Sequence, residues 1–208
     1  MTADAPEGRR LRSSERREQL LTVASRLFAR NGYDATTMDQ VAHAAGVTKP
    51  LLYQHFDSKH ALYEEIVTTA ATSLLDSLAV AASPDTAPRE KVERGLHVYF
   101  MAVLGDDVSF RLLLAESTDE DIARHLDAIE QAMIAFVDPL IDAGLDADHR
   151  RFLAAAVVGL AKSTATFWLD EHGEADDLDD AEREAIADRL ARRCAQLVWG
   201  GLRSVSPD

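Results

Sequence analysis

Residues 36–59 read TTMDQVAHAAGVTKPLLYQHFDSK, and this stretch decides the fold of the amino-terminal part. The small residue Ala42 and the glycine Gly46 stand four positions apart, which is the spacing of two short helices that cross around a tight turn. The apolar side chains available to close these helices onto each other are Val41, Ala45, Val47 and Leu52. The stretch therefore predicts a helix-turn-helix unit, whose second helix is typically held against DNA.

The start of the first helix follows from two polar residues. Thr37 followed by Gln40 has the spacing of a capping box, in which the hydroxyl accepts from one unpaired amide and the Gln side chain reaches back to another. We therefore expect a helix that begins at Met38.

The turn and the second helix have signals of their own. Gly46 can adopt a positive φ without a Cβ clash. Thr48 can cap the next helix, and Pro50 is tolerated in its first turn because its missing N–H would be unpaired there anyway. The second helix is expected over about 49–55.

Two segments that overlap and flank this unit carry a family resemblance. Residues 27–37 read LFARNGYDATT, and residues 51–66 read LLYQHFDSKHALYEEI. From Arg16 to Ile66, about a quarter of the chain, the sequence resembles the DNA-binding domain of TetR-family transcriptional regulators. The resemblance implies a C-terminal domain that is all-helical and specialised for ligand binding and dimerisation, and it does not name the ligand.

The composition of the 208 residues indicates an all-α protein. Aliphatic residues and Ala are abundant, aromatic residues make up 6%, and the chain has 10 Gly and 6 Pro. With the resemblance, we expect an N-terminal three-helix helix-turn-helix DNA-binding domain plus a C-terminal helical ligand-binding and dimerisation domain. The expected boundaries are a disordered basic arm over 1–13, the DNA-binding domain over 14–60 and the helical domain over 61–208.

The sequence predicts a cytoplasmic protein. The apolar run AAAVVGLA at 154–161 is shorter than the roughly 20 residues that a membrane span needs, and charged residues bound it. The N-terminal arginines are not followed by the apolar segment of a secretory signal. Cys194 is the single cysteine, so no intrachain disulfide can form and a reducing compartment fits.

The charge of the chain is strongly polarised. The formal net charge of −14 by itself opposes binding to a polyanion. Residues 9–59, however, hold nine Lys and Arg against five Asp and Glu, whereas residues 61–208 hold 13 against 29. A positive end fits an approach to phosphates, and an acidic body also serves plain solubility. Arg9, Arg10 and Arg12 could reach DNA or form a solubilising tail only.

Breaks and caps predict the remaining helices. SPDTAP at 83–88 separates two helices, and Ser117 with Glu120 has the spacing of a second capping box. Pro139 should interrupt the helix that follows, and Gly144 should end it. The expected helices run over about 14–31, where Gly32 ends the helix, and then 58–82, 88–104, 108–116, 119–144, 148–170 and 180–202.

The last two helices combine small residues, which permit close approach of another helix, with bulkier apolar residues. By the family resemblance, this pair forms a four-helix bundle with its two-fold mate. The alternative is that both helices only complete the core of one chain. The residues assigned to the homodimer interface are Phe152, Ala156, Gly159, Leu160, Ser163, Phe167, Ile186, Leu190, Leu197 and Val198.

Side chains of the helix-turn-helix unit divide into base readers and phosphate anchors. Leu52 and Phe56 stand four apart and should face inward, which turns Pro50, Leu51 and Gln54 toward the groove. Gln54 can pair with adenine, and the other two can rest on thymine methyl groups. By resemblance, the phosphate anchors are Thr37, Thr48, Lys49, Tyr53, His55 and Lys59, with core packing as the alternative for Tyr53 and His55.

The resemblance also implies an apolar pocket between the central helices, whose occupant moves the fourth helix and so the two recognition helices. Glu116 and His97 could fix a polar group of the ligand or simply face solvent. Aromatic and Met side chains are the lining candidates, with ordinary core packing as their alternative. They are Tyr99, Phe100, Met101, Phe110, Met133, Phe136, Phe167 and Trp168.

The sequence offers no pattern typical of an enzyme, a cofactor or a metal site. The seven histidines form no HxxxH pair and no His/Cys cluster, and Glu93 with His97 is a weak metal signal. The sequence contains no GxSxG, P-loop or dinucleotide-binding glycine pattern. We expect no catalytic residue, no cofactor and no metal.

These observations predict a DNA-binding transcriptional regulator. We expect a repressor that binds a palindromic operator in double-stranded DNA as a homodimer, and that a small lipophilic effector releases. No membrane partner is expected. Two alternatives stay open, namely a DNA-binding regulator controlled by a protein partner and a helical-pocket enzyme or carrier.

Overall fold

The computed structural model describes residues 13–82, 87–141, 145–173 and 175–202, and the regular structure within these ranges is entirely helical. The basic arm up to residue 12, the break at 83–86 and the helix end expected at Gly144 lie outside the described residues. The elements are α1 (Ser13–Ala35), α2 (Met38–Ala44), α3 (Lys49–Tyr53), α4 (Lys59–Ala81), α5 (Pro88–Leu104), a 3₁₀ helix (Val108–Leu114), α6 (Glu120–Val137), a 3₁₀ helix (Asp138–Leu140), α7 (Ala147–His172), a 3₁₀ helix (Ala175–Asp177) and α8 (Asp180–Leu202). The all-α fold class is confirmed.

The predicted capping box starts α2. The Gln40 amide donates to Thr37 Oγ1 at 3.3 Å, and the Thr37 amide donates to Gln40 Oε1 at 2.8 Å. Gly32 interrupts α1 with φ 79°, ψ 165°, and Gly46 makes the α2–α3 turn with φ 65°. Local sequence signals thus set the boundaries of the helix-turn-helix unit.

The α3 helix departs from expectation in two details. It ends at Tyr53, two residues earlier than predicted, although the amides of Gln54, His55 and Phe56 still bond back to carbonyls of its last turn. Thr48 occupies the N-cap position, but its side chain accepts no capping hydrogen bond. Its backbone carbonyl instead accepts from the amides of Leu51 and Leu52.

The caps further along are partly as predicted. Ser58 caps α4, since its Oγ accepts from the Ala61 amide at 3.0 Å. The capping box predicted for Ser117 and Glu120 is wrong. Asp119 is the N-cap of α6 instead, because its carboxylate accepts from the amides at 121 and 122. The short helix expected at 108–116 is a 3₁₀ helix. Pro139 interrupts the helix as predicted, because α6 ends at Val137 and the backbone continues as a 3₁₀ turn.

Three aromatic rings form the centre of the amino-terminal core. The ring centroid of Phe28 lies 5.1 Å from that of Tyr63 and 6.0 Å from that of Tyr33, and the two tyrosine rings are 5.0 Å apart. The same buried cluster includes Leu112 and Ile122. Apolar contact therefore continues across the domain boundary expected at residue 60.

A second core lies where α5 packs on α8, with one side of α7 completing it. Phe100 and Leu104 of α5 are buried there, as are Ala191 and Cys194 of α8. The Arg183 side chain is also enclosed, and it pairs with Asp106 at 2.5 Å. The two ends of the molecule are joined by α4, whose first half packs in the amino-terminal core.

Candidate nucleic-acid interface and ligand cavity

One side of α3 is anchored in the core, and the other faces solvent. Leu52 is fully buried and Phe56 is 3% exposed, so both point inward as predicted. The residues on the other side are Pro50, Tyr53 and Gln54, which are exposed, and Leu51, which is half-buried. The Gln54 side chain thus stands at the solvent end of α3, where an amide could meet a base edge.

Lys49 already has a carboxylate partner. Its Nζ lies 2.9 Å from Oδ1 and 3.1 Å from Oδ2 of Asp39, which joins the start of α3 to α2. The hydrogen bond to Asp39, and then the charge of that carboxylate, raise the pKa of Lys49. A DNA phosphate at this position would compete with Asp39. Sequence reasoning missed this pair because its members lie ten residues apart on different helices.

Lys59 has a structural role besides any contact with phosphate. Its Nζ donates to the Tyr33 carbonyl at 2.9 Å and lies 4.0 Å from the centroid of the Tyr33 ring. Burial, followed by the nearby carboxylates of Asp119 and Asp34, raises the pKa of the Tyr33 phenol. An ammonium group has three donors, so Lys59 keeps N–H groups for a phosphate while it holds α4 against the end of α1.

The other predicted anchors lie along the same edge of the molecule, between the N-cap of α2 and the start of α4. Thr37 and Thr48 are exposed, and the Thr37 hydroxyl takes part in the α2 capping box. His55 is half-buried, with its ring centroid 6.4 Å from that of Phe56. The structure therefore leaves all the predicted DNA-facing residues at least partly accessible.

A brace formed by Arg17 positions this face, and sequence reasoning did not find it. The guanidinium donates two bonds to the Glu65 carboxylate, at 2.5 and 2.8 Å, and lies 4.4 Å from the centroid of the Phe56 ring. It thus links α1, the segment after α3, and α4. The 48-residue separation between the paired residues explains why no local pattern indicated the contact.

At the opposite end of α4, side chains of five helices line a partly open cavity of about 110 Å³. Lys91 is the one charged side chain among the described residues that line it, and nearly all the other lining residues are apolar. The lining consists of Leu78, Ala82, Lys91, Val92, Gly95, Leu96, Tyr99, Met133, Phe136, Val137, Leu140, Ile141, Val157, Val158, Ala161 and Val198. Such a space suits a ligand with an extended apolar part.

Three of the predicted pocket residues line this cavity, namely Tyr99, Met133 and Phe136. Burial, and then the charge of Glu130, raise the pKa of the Tyr99 phenol far above its ordinary value, so its hydroxyl stays protonated. Most of the remaining lining is aliphatic. Sequence reasoning searched for aromatic and Met side chains and therefore missed residues such as Leu78 and Val157.

The structure places the other pocket candidates outside the lining. Phe100 faces the α5–α8 core, and Trp168 is buried with its ring stacked on His172 at 4.8 Å between centroids. Met101 and Phe110 are half-buried, and Phe167 is 65% exposed. His97 lies 3.4 Å from Glu184, whereas Glu116 is exposed. On α5, Tyr99 lines the cavity together with residues 91 and 95, whereas Phe100 is fully buried in the core.

Comparison with known proteins identifies the family. Residues 20–66 match the family described as bacterial regulatory proteins, tetR family. The chain is 32% identical over 202 residues to the HTH-type transcriptional activator FasR of Mycolicibacterium smegmatis, a match that spans 95% of this chain and 88% of that protein. The chain belongs to the tetR family of bacterial regulatory proteins.

Two solved structures show the same fold as this tetR-family chain. The fatty acid degradation regulator FadR from Bacillus halodurans has a TM-score of 0.76 at 18% identity, over 93% of this chain and 99% of that one. The transcriptional regulator FadR from Bacillus subtilis, solved in complex with stearoyl-CoA, has a TM-score of 0.69 at 16% identity, over 86% and 97%. At these identities the likeness shows the fold alone.

The residues predicted for a tetR-family dimer interface lie mostly on the outer side of α7 and α8. Phe152, Phe167 and Leu197 are 68%, 65% and 66% exposed. Ala156 and Ser163 are exposed, and Gly159, Leu160, Ile186 and Val198 are half-buried. Leu190 is buried against the α5–α8 core, so little of it is available to a second chain.

The α7 helix is apolar over a longer stretch than the run at 154–161 indicated. By length and composition it could cross a membrane, since an 18-residue window has a mean hydropathy of 1.5, and 22% of that window is buried within the chain. A helix whose apolar side is covered by a second protein chain has the same composition. Lys162, inside this helix, pairs with Glu130 of α6 at 2.7 Å.

Within the described residues, no group of three or more His, Cys, Asp or Glu side chains could hold a metal ion.

Proposed function

We propose that this tetR-family regulator binds a palindromic operator as a homodimer and is released from it when a small ligand with an apolar chain occupies the cavity. The chain is a DNA-binding transcriptional regulator by family. The homodimer, the symmetry of the operator and the response to a ligand are the parts proposed here. So is the division into a basic arm at 1–13, a DNA-binding domain at 14–60 and a helical domain at 61–208.

The proposal is supported chiefly by α4, which extends from the helix-turn-helix unit to the cavity. Its N-cap Ser58 follows the recognition helix directly, and Leu62 and Tyr63 pack in the core of the helix-turn-helix unit. Its other end supplies Leu78 and Ala82 to the cavity lining. From Lys59 to Leu78 the helix axis spans about 29 Å, so a small displacement at the cavity reaches the DNA-binding unit through one rigid element.

The class of ligand is argued from the cavity. Its lining is aliphatic and aromatic, with one lysine, which suits a fatty acyl chain that carries a polar end. The FadR from Bacillus subtilis, which shares the fold, was solved with stearoyl-CoA bound. We therefore propose a fatty acid or its coenzyme A thioester as the effector.

The homodimer is argued from the exposed side of α7 and α8. Large apolar side chains exposed on adjacent helices are costly in water, and a second copy of the same pair would cover them. Small residues such as Ala156 permit close approach of the helix axes. Two recognition helices held about 34 Å apart, or a multiple of that distance, would read a palindromic site.

The sign of regulation stays a prediction. The sequence predicts a repressor, whereas a relative that matches along 95% of this chain is named an activator. Release by a ligand is compatible with both, because the sign depends on where the operator lies relative to the promoter. Reporter transcription with the operator placed within or upstream of a promoter distinguishes the two.

The family consists of regulatory proteins, and the relative that matches over 202 residues is named a transcriptional activator. The proposal therefore includes neither catalysis nor a cofactor. A cytoplasmic location follows from access to DNA. A membrane partner is not proposed. The α7 helix carries Lys162 in its interior, and this lysine forms an ion pair with Glu130 of α6.

Selection of bound fragments from random DNA with the purified protein tests the proposal. We expect recovered sequences with two inverted half-sites separated by one or more turns of DNA. The bound complex should contain two chains per site, or a multiple of two. Recovery of asymmetric sites bound by a single chain would contradict it, and so would operator binding that no acyl ligand changes.

A further inference from the structure

The side of α5 that faces the cavity has a distinct order of residues. Lys91, Gly95 and Tyr99 stand four positions apart, so they project from the same side of the helix, and all three line the cavity. The axis from the first to the last measures about 12 Å. A cation therefore lies at one end of this side, a hydroxyl at the other, and a position without a side chain between them.

Lys91 differs from the other lysines of the chain. The chain has four lysines, and three of them have partners: Lys49 pairs with Asp39, Lys59 donates to the Tyr33 carbonyl, and Lys162 pairs with Glu130. For the half-buried Lys91, no partner of the ammonium group lies among the described residues. An anionic oxygen of a molecule in the cavity could accept a charge-assisted hydrogen bond from this ammonium group.

The neighbouring charged residues Arg89, Glu90 and Glu93 do not line the cavity. Glu90, on the same turn of α5, is exposed, and Glu93 is half-buried and does not line the cavity. Arg89 is also exposed. Lys91 is thus the cation placed to meet a group that enters the cavity.

Gly95 lies on α5 between the ammonium of Lys91 and the hydroxyl of Tyr99, and it adds no side chain to the cavity. A Cβ at this position would meet Leu78 Cδ2 at 3.9 Å, an ordinary van der Waals contact, so the backbone of α5 does not require glycine. Glycine is unfavourable within a helix. Its presence leaves the cavity side of α5 without a side chain between Lys91 and Tyr99.

We propose that the cavity binds an amphiphile whose anionic head group contacts Lys91 and whose apolar chain runs past Gly95 toward Tyr99. The proposal rests on the proposed ligand response and adds the orientation of the ligand and the residue that selects its head group. The anion is either the carboxylate of a free fatty acid or a phosphate of an acyl-coenzyme A. Both present the oxygens that an ammonium group recognises.

Calorimetric titration of the full-length protein with three ligands of equal chain length tests the proposal. The ligands are hexadecanoate, hexadecanoyl-coenzyme A and the neutral hexadecan-1-ol. Lys91→Met keeps most of the side-chain volume and removes the charge. We expect it to weaken binding of the anion that uses Lys91 by about tenfold or more, and to leave hexadecan-1-ol within about twofold. A loss confined to hexadecanoate identifies the carboxylate, and a loss confined to the thioester identifies a phosphate.

Two control variants separate a head-group contact from a general effect of charge. Arg89→Met removes the same charge from the same turn, outside the lining, and should leave all three affinities unchanged. Lys91→Arg retains the charge and should keep the preference of the wild-type protein for an anion over the alcohol. Thermal unfolding of each variant checks that the fold is retained.

The outcomes distinguish this proposal from the one on which it rests. If the wild-type protein binds these ligands, and Lys91→Met changes none of the affinities or weakens all three equally, the head-group assignment is wrong while the ligand response stands. The same holds if Arg89→Met reproduces the effect of Lys91→Met. If the wild-type protein binds none of the three ligands, the proposed ligand class fails, and this inference fails with it.

Discussion

At the scale of single residues, the proposed DNA-binding face contains a carboxylate that competes with DNA. Asp39 holds the ammonium of Lys49 at 2.9 Å. A phosphate must displace this carboxylate or share the lysine with it. In the free protein, the charge of this proposed phosphate anchor is thus already paired, and a phosphate would have to replace an existing partner.

Removal of that carboxylate should strengthen binding to DNA of any sequence. We expect Asp39→Asn to tighten binding by about two- to fivefold, because exposed ion pairs are weak and repulsion from a carboxylate near phosphates is modest. Fluorescence anisotropy with specific and random duplexes measures the change. Asp57→Asn is the matched control, because Asp57 is exposed on the same unit. An equal gain with the control would show that net charge, and not the Lys49 pair, is responsible.

Gln54 and Lys49 should have separable roles. Gln54→Ala should reduce the preference for the selected base at one step by roughly 1–3 kcal/mol, as loss of a paired hydrogen bond to a base does. Lys49→Ala should weaken all sequences alike and lower the slope of log K against log salt by about 0.9. Binding to a panel of operator variants at several salt concentrations measures both. Equal losses on every operator variant for both mutants would contradict this division of roles.

At the scale of secondary-structure elements, the cavity depends on how α5 faces α4. Gly95→Leu should fill the middle of the cavity, weaken binding of sixteen-carbon ligands by at least about tenfold, and leave operator binding without ligand unchanged. Calorimetry and anisotropy measure the two effects.

Gly95→Ala is the control. Its Cβ would lie 3.9 Å from Leu78 Cδ2, and it should raise the free energy of unfolding by about 0.5–1 kcal/mol. Retained binding of long chains by Gly95→Leu would place the ligand elsewhere.

Local chemistry determined which elements could be predicted from the sequence. The starts of α2 and α4 and the bounds of α5 and α8 follow from caps, Pro and Gly within a few residues of each boundary. The α6 cap was mispredicted because two residues, Ser117 and Asp119, compete for one position, and the carboxylate accepts two amides.

The candidate sites were predictable to different degrees for a physical reason. The exposed side of α3 follows from helical periodicity within ten residues. The Asp39 and Glu65 pairs and the cavity lining depend on which sides of different helices meet. Residues such as Val158 look like ordinary core in the sequence, and only the packing of five helices makes them part of a cavity.

At the scale of the whole molecule, the unpaired side of α7 and α8 is the feature that a single chain leaves unexplained. Phe152 and Phe167 are both about two-thirds exposed on one helix. A second copy that covers them would also set the distance between the two recognition helices. Dimerisation and operator spacing would then depend on the same surface.

Charges on that surface should separate the two chains. We expect Phe152→Asp combined with Phe167→Asp to give a monomer at micromolar concentration, because two carboxylates would be desolvated in each half of the interface. Sedimentation velocity measures the mass, and operator affinity should fall at least about a hundredfold when half-sites bind singly. Val80→Asp, at a position 77% exposed on α4, is the control and should stay dimeric. A dimeric double variant would assign the interface to another surface.

In the proposed mechanism, occupancy of the cavity and binding of the operator oppose each other through α4. The most direct measurement is operator affinity, by anisotropy, with and without a saturating acyl ligand whose binding calorimetry has established. We expect an operator Kd at least about tenfold higher with ligand, and an equal factor for the effect of operator on ligand affinity. An operator Kd that stays the same while the ligand is demonstrably bound in the cavity would contradict it.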